Sequence, residues 1–297
     1  MKKYIIFRTD RIGDFLLSAI LIKSIKRNEQ KAHITVVASE KNYDYIKSYR
    51  LVDKVYLLKK GFFEKTALIK SLKQDSYKAI IIHDSKKRSM FISFFLKTEV
   101  KIISNSNSNI SYFSDIHNIL NQLNFKYDKS DLNTLPESNY NDLSHVTKNY
   151  ILFHFDEKWI HGKYISNYIN IEPSESQLTA FLNLVADKTN KNIIVTTGLN
   201  PPDILNKVSS NNFNNKVTFL KNLNFLQLEN IVKSSDLLIS CHGAISHVAT
   251  AKNIRQIDII DESKTLFYKK WTHHFRNYKS IYRKEFDFLS KSILRLL

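Results

Sequence analysis

Lys3–Asn28, KYIIFRTDRIGDFLLSAILIKSIKRN, is the stretch from which the rest of the chain is read. Tyr4-Ile5-Ile6-Phe7 is a short apolar run, β-branched and aromatic, with the composition of a buried strand. It stops at the polar turn Arg8-Thr9-Asp10-Arg11. After Gly13-Asp14, apolar residues recur at helical spacing (Phe15, Leu16, Ala19, Ile20, Ile22, Ile25), and Lys23, Lys26 and Arg27 gather where the helix dipole is negative. Strand, turn and helix in this order open an α/β sheet, and the turn falls where such sheets hold their ligands. Gly13 would let a ligand approach the backbone, and Asp14 sets a carboxylate at the mouth of that crevice. Two roles fit Asp14. It can serve the helix N-terminus as an acid on the dipole, or take the proton from a hydroxyl that must become a nucleophile.

The pattern repeats along the chain. His33–Ala38, Val52–Leu58, Tyr77–His83 and Val100–Ile103 read as strands, separated by helical stretches at 41–49, 62–74 and 86–96. Phe62, Phe63, Ala67, Leu68 and Leu72 fall roughly on one face of the second of these helices. A further helix is expected over 115–125, with Asp115 as its cap. Residues 127–148 are polar and aperiodic, the expected linker between an N-terminal domain, 1–126, and a C-terminal one, 149–297. In the second half, strands at 150–155, 192–197, 217–220, 236–240 and 256–260 alternate with helices at 174–189, 224–233 and 244–252. Such alternation means βαβ units and a parallel sheet in each half.

The 297 residues suffice for one large or two ordinary domains, and 43% hydrophobic with 25% charged residues is a globular composition. Apolar runs such as Ala79–Ile82 are too short to span a bilayer, and Arg8 arrives too early for a secretory signal core. The lone Cys241 permits no internal disulfide, so a cytoplasmic protein is expected. A net charge of +17 calls for a polyanionic partner: nucleic acid, anionic lipid or a phosphorylated substrate. A Lys-, Asn- and Ile-rich compositional drift would produce the same charge without function. With 5 glycines in all, neither the dinucleotide fingerprint nor the P-loop can be written.

Cys241-His242-Gly243-Ala244-Ile245-Ser246-His247 is the second informative stretch, at a strand-to-helix junction. Small side chains at Gly243, Ala244 and Ser246 leave the first helix N–H groups open, as helix N-termini that hold phosphate require. His242 and His247 flank that position; the competing roles are a loop residue for His242 and a core histidine for His247. Lys158, in FHFDEKW just past the first strand of the second half, could neutralise a diphosphate there or be an ordinary solvated lysine. No Cys/His pair beyond this cluster has ligand spacing, so no metal is expected.

These stretches, in their order, resemble the ADP-heptose:lipopolysaccharide heptosyltransferases, glycosyltransferase family 9. RTDRIGDFLLS is similar to the family's N-terminal signature, FHFDEKW to its segment with a donor-binding lysine, and SSDLLISCHGAISHVATAKN to its C-terminal motif. The resemblance implies an α/β protein of GT-B type, two Rossmann-like domains whose parallel sheets face across a cleft. It implies an inverting, metal-independent transfer of a heptose or related sugar, without cofactor, from a nucleotide-sugar such as an ADP-linked one to a lipid-linked surface glycan. Asp14 falls on the family's catalytic base, with Thr9, Arg11 and Gly13 on the acceptor side. Lys158 falls on the phosphate-contacting lysine, His154 and Leu223 on positions lining the nucleotide, and Gly243, Ala244 and His247 on the donor helix, with His242 and Ser246 beside them. Two positions depart from the pattern: the family's acid is His242 here, and its glycine is Ala244. A sugar-nucleotide epimerase of the same fold and a basic nucleic-acid-binding protein are the rival readings, and no nucleic-acid reader motif is recognisable. The tail from Lys264, cations interleaved with aromatics, is expected either to pack onto the core or to rest on the anionic inner leaflet.

Overall fold

Burial of both faces is what a parallel strand must tolerate, and the first apolar run meets it. In the computed structural model β1 (Lys3–Arg8) is buried at every position after Lys3, and it pairs in parallel with β2 (His33–Ala38) on one side and β4 (Ser76–Ile82) on the other. The structure describes residues 1–105, 110–133, 149–160, 168–198, 201–211, 213 and 215–297. By its internal packing the chain divides into two units, 1–138 with 269–274, and 139–268 with 275–297. Each holds one parallel sheet, and the two-sheet α/β architecture expected from the sequence is present.

In the first unit the strand order is β3-β2-β1-β4-β5, completed by β3 (Lys54–Leu57) and β5 (Lys97–Ile103). Helices α1 (Ile12–Asn28) and α2 (Tyr43–Lys47) carry the chain outward from β1, whereas α3 (Phe62–Leu72) carries it back across to β4 and α4 (Lys87–Phe94) onward to β5. The winding therefore reverses between β1 and β4, and the crevice for a ligand opens beyond their C-terminal ends. Two local expectations are corrected. α5 spans Tyr112–Gln122 and is capped by Ser111, whose hydroxyl accepts from the Ser114 N–H at 3.0 Å; Asp115 is instead buried and accepts from the Ser104 hydroxyl. Phe62 and Phe63 do not join the buried face of α3, which consists of Leu68 and Leu72. The start of the expected linker is anchored: in the 3-10 turn Lys129–Leu132, buried Asp131 accepts from Ser24 at 2.7 Å and from Arg27 at 2.9 Å. Residues 134–148 lie outside the described residues.

The second unit is ordered β11-β10-β9-β6-β7-β8. β6 (Tyr150–His154), β7 (Asn192–Thr196) and β8 (Val217–Leu220) wind one way through α6 (Glu175–Thr189) and α7 (Ile204–Val208). After α8 (Phe225–Lys233), β9 (Ser235–Cys241) restarts beside β6, and the chain winds the other way through α9 (Ala244–Ala251) to β10 (Arg255–Ile260). The tail is structured as α10 (Thr265–Thr272), a sixth parallel strand β11 (Tyr278–Tyr282) and α11 (Phe286–Leu296), which the sequence did not resolve. The reversal here lies between β6 and β9, so this unit's crevice opens past His154 and Cys241. An aromatic cluster holds that corner, with Phe155 stacked on Trp159 and Phe153 tilted against both.

Candidate functional site

Beyond β1 and β4 of the first unit lies a cavity of about 670 Å³, walled by the turn after β1, the starts of α1 and α4, the ends of β2 and β4, and the rings of Tyr112 and Trp271. A buried polar net shapes its floor. Arg8 donates from Nε to Ser18 Oγ and from Nη1 to the His83 carbonyl, both at 2.8 Å, and pairs with Asp10 at 3.2 Å. Ser18 Oγ also lies 2.8 Å from His83 Nδ1. Burial, with Arg8 alongside, keeps the His83 imidazole well below its ordinary pKa and hence neutral. Asp84 accepts from the Thr9 N–H at 3.3 Å, from the Thr9 hydroxyl and from Ser89 at 2.7 Å, while Arg88 donates to the Thr9 carbonyl at 2.9 Å and to its hydroxyl at 2.7 Å.

The acceptor-side candidates divide accordingly. Thr9 is in the wall but buried and fully engaged, Arg11 is exposed at the rim, and Asp14 lines the cavity as the third residue of α1. Gly13 is the second residue of α1 and does not line the cavity. The Asp14 carboxylate accepts the Arg11 N–H through Oδ2 at 2.9 Å, so the helix-end role is real. Burial first, and the Asp14 charge next, raise the Tyr112 phenol above its usual value, so carboxylate and phenol face the same space. Arg8, His83, Asp84, Arg88, Tyr112 and Trp271 were not anticipated. Asp84 had a signal, since it follows AIIIH at a strand's C-terminal end as Asp10 follows YIIF; the rings come from remote sequence and had none.

In the second unit the structure brings FHFDEKW to CHGAISH. Lys158 Nζ pairs with buried Asp156 at 2.9 Å and lies so close over Gly243, the N-cap of α9, that a Cβ there would stand 2.4 Å from it. Burial opposes the Lys158 charge, but Asp156 outweighs it and raises the ammonium above its ordinary value; Asp156, for its part, is held below the usual carboxylate range by Lys158 despite burial. A fixed cation therefore stands at the start of a helix whose N-cap and first residue, Gly243 and Ala244, are small. His154 lies beneath, its Nδ1 2.9 Å from Thr196 Oγ1 and its Nε2 3.7 Å from Asp156. His242 Nδ1 is 2.6 Å from Asp258, which also accepts from Ser246 Oγ at 2.7 Å, while Ser246 Oγ accepts the Gly243 N–H at 3.2 Å. His247 is buried, its ring 5.7 Å from that of His242. Leu223 is half-buried in the turn between β8 and α8, at the C-terminal end of a strand of the same sheet. Asp156 and Asp258 were missed, although an acid inside the apolar strand RQIDII was legible as an oddity.

No family model and no curated protein matches the chain. Among solved structures it superposes on E. coli heptosyltransferase WaaC with ADP, with a TM-score of 0.74 at 13% identity over 99% of this chain and 98% of that one. The fold is that of the heptosyltransferases. A glycosyl transferase family 9 structure from Veillonella parvula gives 0.71 at 14% identity over 98% and 89% of the two chains. The UDP-GlcNAc 2-epimerase of Methanocaldococcus jannaschii gives 0.62 at 12% over 100% and 92%. The first two are of the kind that the three sequence motifs resemble, reached here through backbone geometry instead of side chains.

Proposed function

We propose that the chain is a glycosyltransferase that moves a sugar from a nucleoside-diphosphate donor to a lipopolysaccharide or related lipid-linked surface-glycan acceptor, by a metal-independent, inverting reaction at the cytoplasmic face of the membrane. The observation that carries this reading is Lys158 lying over the N-cap of α9. A departing diphosphate needs positive charge aimed where its own charge develops, and an ammonium beside open helix N–H groups supplies it. Two solved neighbours hold ADP and ADP-2-deoxy-2-fluoro heptose, which favours an ADP-linked donor here.

The acceptor would occupy the cavity of the first unit, with its hydroxyl at Asp14. The carboxylate takes the hydroxyl proton as the oxygen attacks the anomeric carbon, and the bond to the diphosphate breaks on the opposite face. Oδ2 is held by the Arg11 N–H, which orients the carboxylate and leaves Oδ1 to act as the base. An epimerase of this fold would need carboxylates available around the donor sugar; Asp156 and Asp258 are buried and paired, which favours transfer. Asp14→Asn is the test. It keeps an acceptor for the Arg11 N–H and should lower transfer by about 10²–10⁴-fold with nucleoside-diphosphate affinity unchanged. Turnover within a few-fold of wild type would reduce Asp14 to a helix-end acid.

A further inference from the structure

The right-handed crossovers that put α1 and α2 on one face of the first sheet put α3 and α4 on the other. Leu68 and Leu72 of α3 share a buried cluster with Ile92 and Leu96 at α4, and Lys73 stands over the Phe95 ring at 5.3 Å, so the two helices form one surface. Outward it is unusually apolar: Phe62, Phe63 and Phe94 are 73%, 84% and 77% exposed, and Phe91 is 49% exposed. Rings left in water in such a group mark an interaction surface. Around them Lys59, Lys60, Lys70, Lys73, Lys87 and Lys97 are exposed, while α3 carries the single acid Glu64 and α4 carries none.

We infer that the α3–α4 face docks the first unit on an anionic lipid bilayer, with the phenylalanines in the headgroup boundary and the lysines against lipid phosphates. Apolar rings backed by cations are what an interfacial surface needs. A second copy of this face would oppose lysines to lysines. A single-stranded nucleic acid needs a groove to track, whereas these rings stand on the outer faces of helices packed on a sheet. Both segments also begin at the cavity: Lys60 precedes α3, Lys86 and Arg88 open α4, and all three line it. On the transferase reading above, a lipid-linked acceptor would then enter the cavity directly from the bilayer; the docking itself does not depend on that reading.

The test is co-sedimentation of the full chain with neutral phosphatidylcholine vesicles and with vesicles containing phosphatidylglycerol, at low and high salt. Each cation near an anionic leaflet is worth about fivefold in partitioning, so anionic vesicles should be strongly preferred and salt should weaken binding. Phe62→Ser/Phe63→Ser/Phe94→Ser should weaken binding at least about tenfold with an unchanged circular dichroism spectrum, because the rings are exposed. Lys59→Glu/Lys70→Glu/Lys87→Glu checks the same face by charge alone and should abolish the preference for anionic lipid. Binding to neither vesicle, equal binding to both at either salt, or triple variants that bind like wild type would overturn the inference. So would loss of binding only in a tail variant, Phe267→Ser/Phe288→Ser, or an oligonucleotide shift removed by the phenylalanine triple in the absence of vesicle binding. Failure here leaves the Asp14 result untouched, so the two proposals fall separately.

Discussion

Acidification should loosen the second unit through His154, and the size of the effect follows from its surroundings. The ring is buried at the end of β6, 2.9 Å from the Thr196 hydroxyl and 3.7 Å from Asp156. Burial, reinforced by Lys158 and opposed by Asp156, pulls its pKa from 6.5 to about 4. Between those values the unfolded chain holds a proton that the folded chain refuses. Stability therefore rises with pH across the window and is lost on acidification through it. The shift corresponds to about 3 kcal/mol over the whole window and about 2 kcal/mol by pH 5. Urea unfolding at pH 7 and pH 5 reads it, comparing wild type with His154→Asn. Trp271→Phe in both leaves Trp159 as the reporter, whose indole N–H donates to the His154 carbonyl at 3.0 Å. With a denaturant slope of roughly 2 kcal/mol per molar, the wild-type midpoint should fall about 1 M further than that of the variant. Buried His83 titrates equally in both proteins and cancels. Parallel falls in the two midpoints would refute the argument.

The remaining expectations concern the two crevices. Lys158→Met should weaken nucleoside-diphosphate binding about 10–100-fold by calorimetry, since a charge-assisted bond to phosphate is lost. Ala244→Leu should weaken it as well by covering the first N–H groups of α9, and unchanged affinity in both variants would remove the diphosphate from this site. Dialysis against EDTA should leave transfer unchanged, whereas a loss reversed by Mg²⁺ would contradict the proposed mechanism. Asp84→Asn should lower the stability of the first unit by about 2 kcal/mol, read by thermal unfolding, because whichever way the amide turns, its NH₂ faces donors, the Thr9 and Ser89 groups on one oxygen or the Lys86 N–H on the other.

How far the sequence could be read depended on whether a contact is local. The strands at β1, β2, β4, β6 and β9 were legible because burial on both faces forces continuous apolar runs. So were the helix starts at Ser174 and Asn224, where each side chain accepts from the N–H three residues on. β11 was not legible: YKSIY lies at a sheet edge with its outward positions exposed, so half of its pattern is polar. The misassigned face of α3 has a different cause. Phe62 and Phe63 satisfy the helical period, but they sit in the first turn, beyond the edge of what the sheet covers. Lys158 and Gly243 could be placed near each other because both follow strands that the winding rule sets side by side. The rings of Tyr112 and Trp271, 4.1 Å apart, meet only through tertiary packing, and no local pattern announces that.

The departure at His242 gains a physical account from β10. Where the related motif carries an acid, this chain carries an imidazole, and the acid reappears one strand over as Asp258, 2.6 Å from His242 Nδ1. Both Asp258 oxygens are engaged, one by His242 and the other by Ser246, and the residue is fully buried, so its charge cannot reach a ligand directly. With Nδ1–H donating to that carboxylate, the His242 ring is held in one orientation. The same carboxylate fixes Ser246, whose hydroxyl oxygen accepts the Gly243 N–H and so holds the first turn of α9 in shape. The negative charge thus stands behind His242, and the helix start stays ordered. In the proposed donor site, Lys158 and the start of α9 are the groups suited to a diphosphate, and neither depends on an acid at position 242.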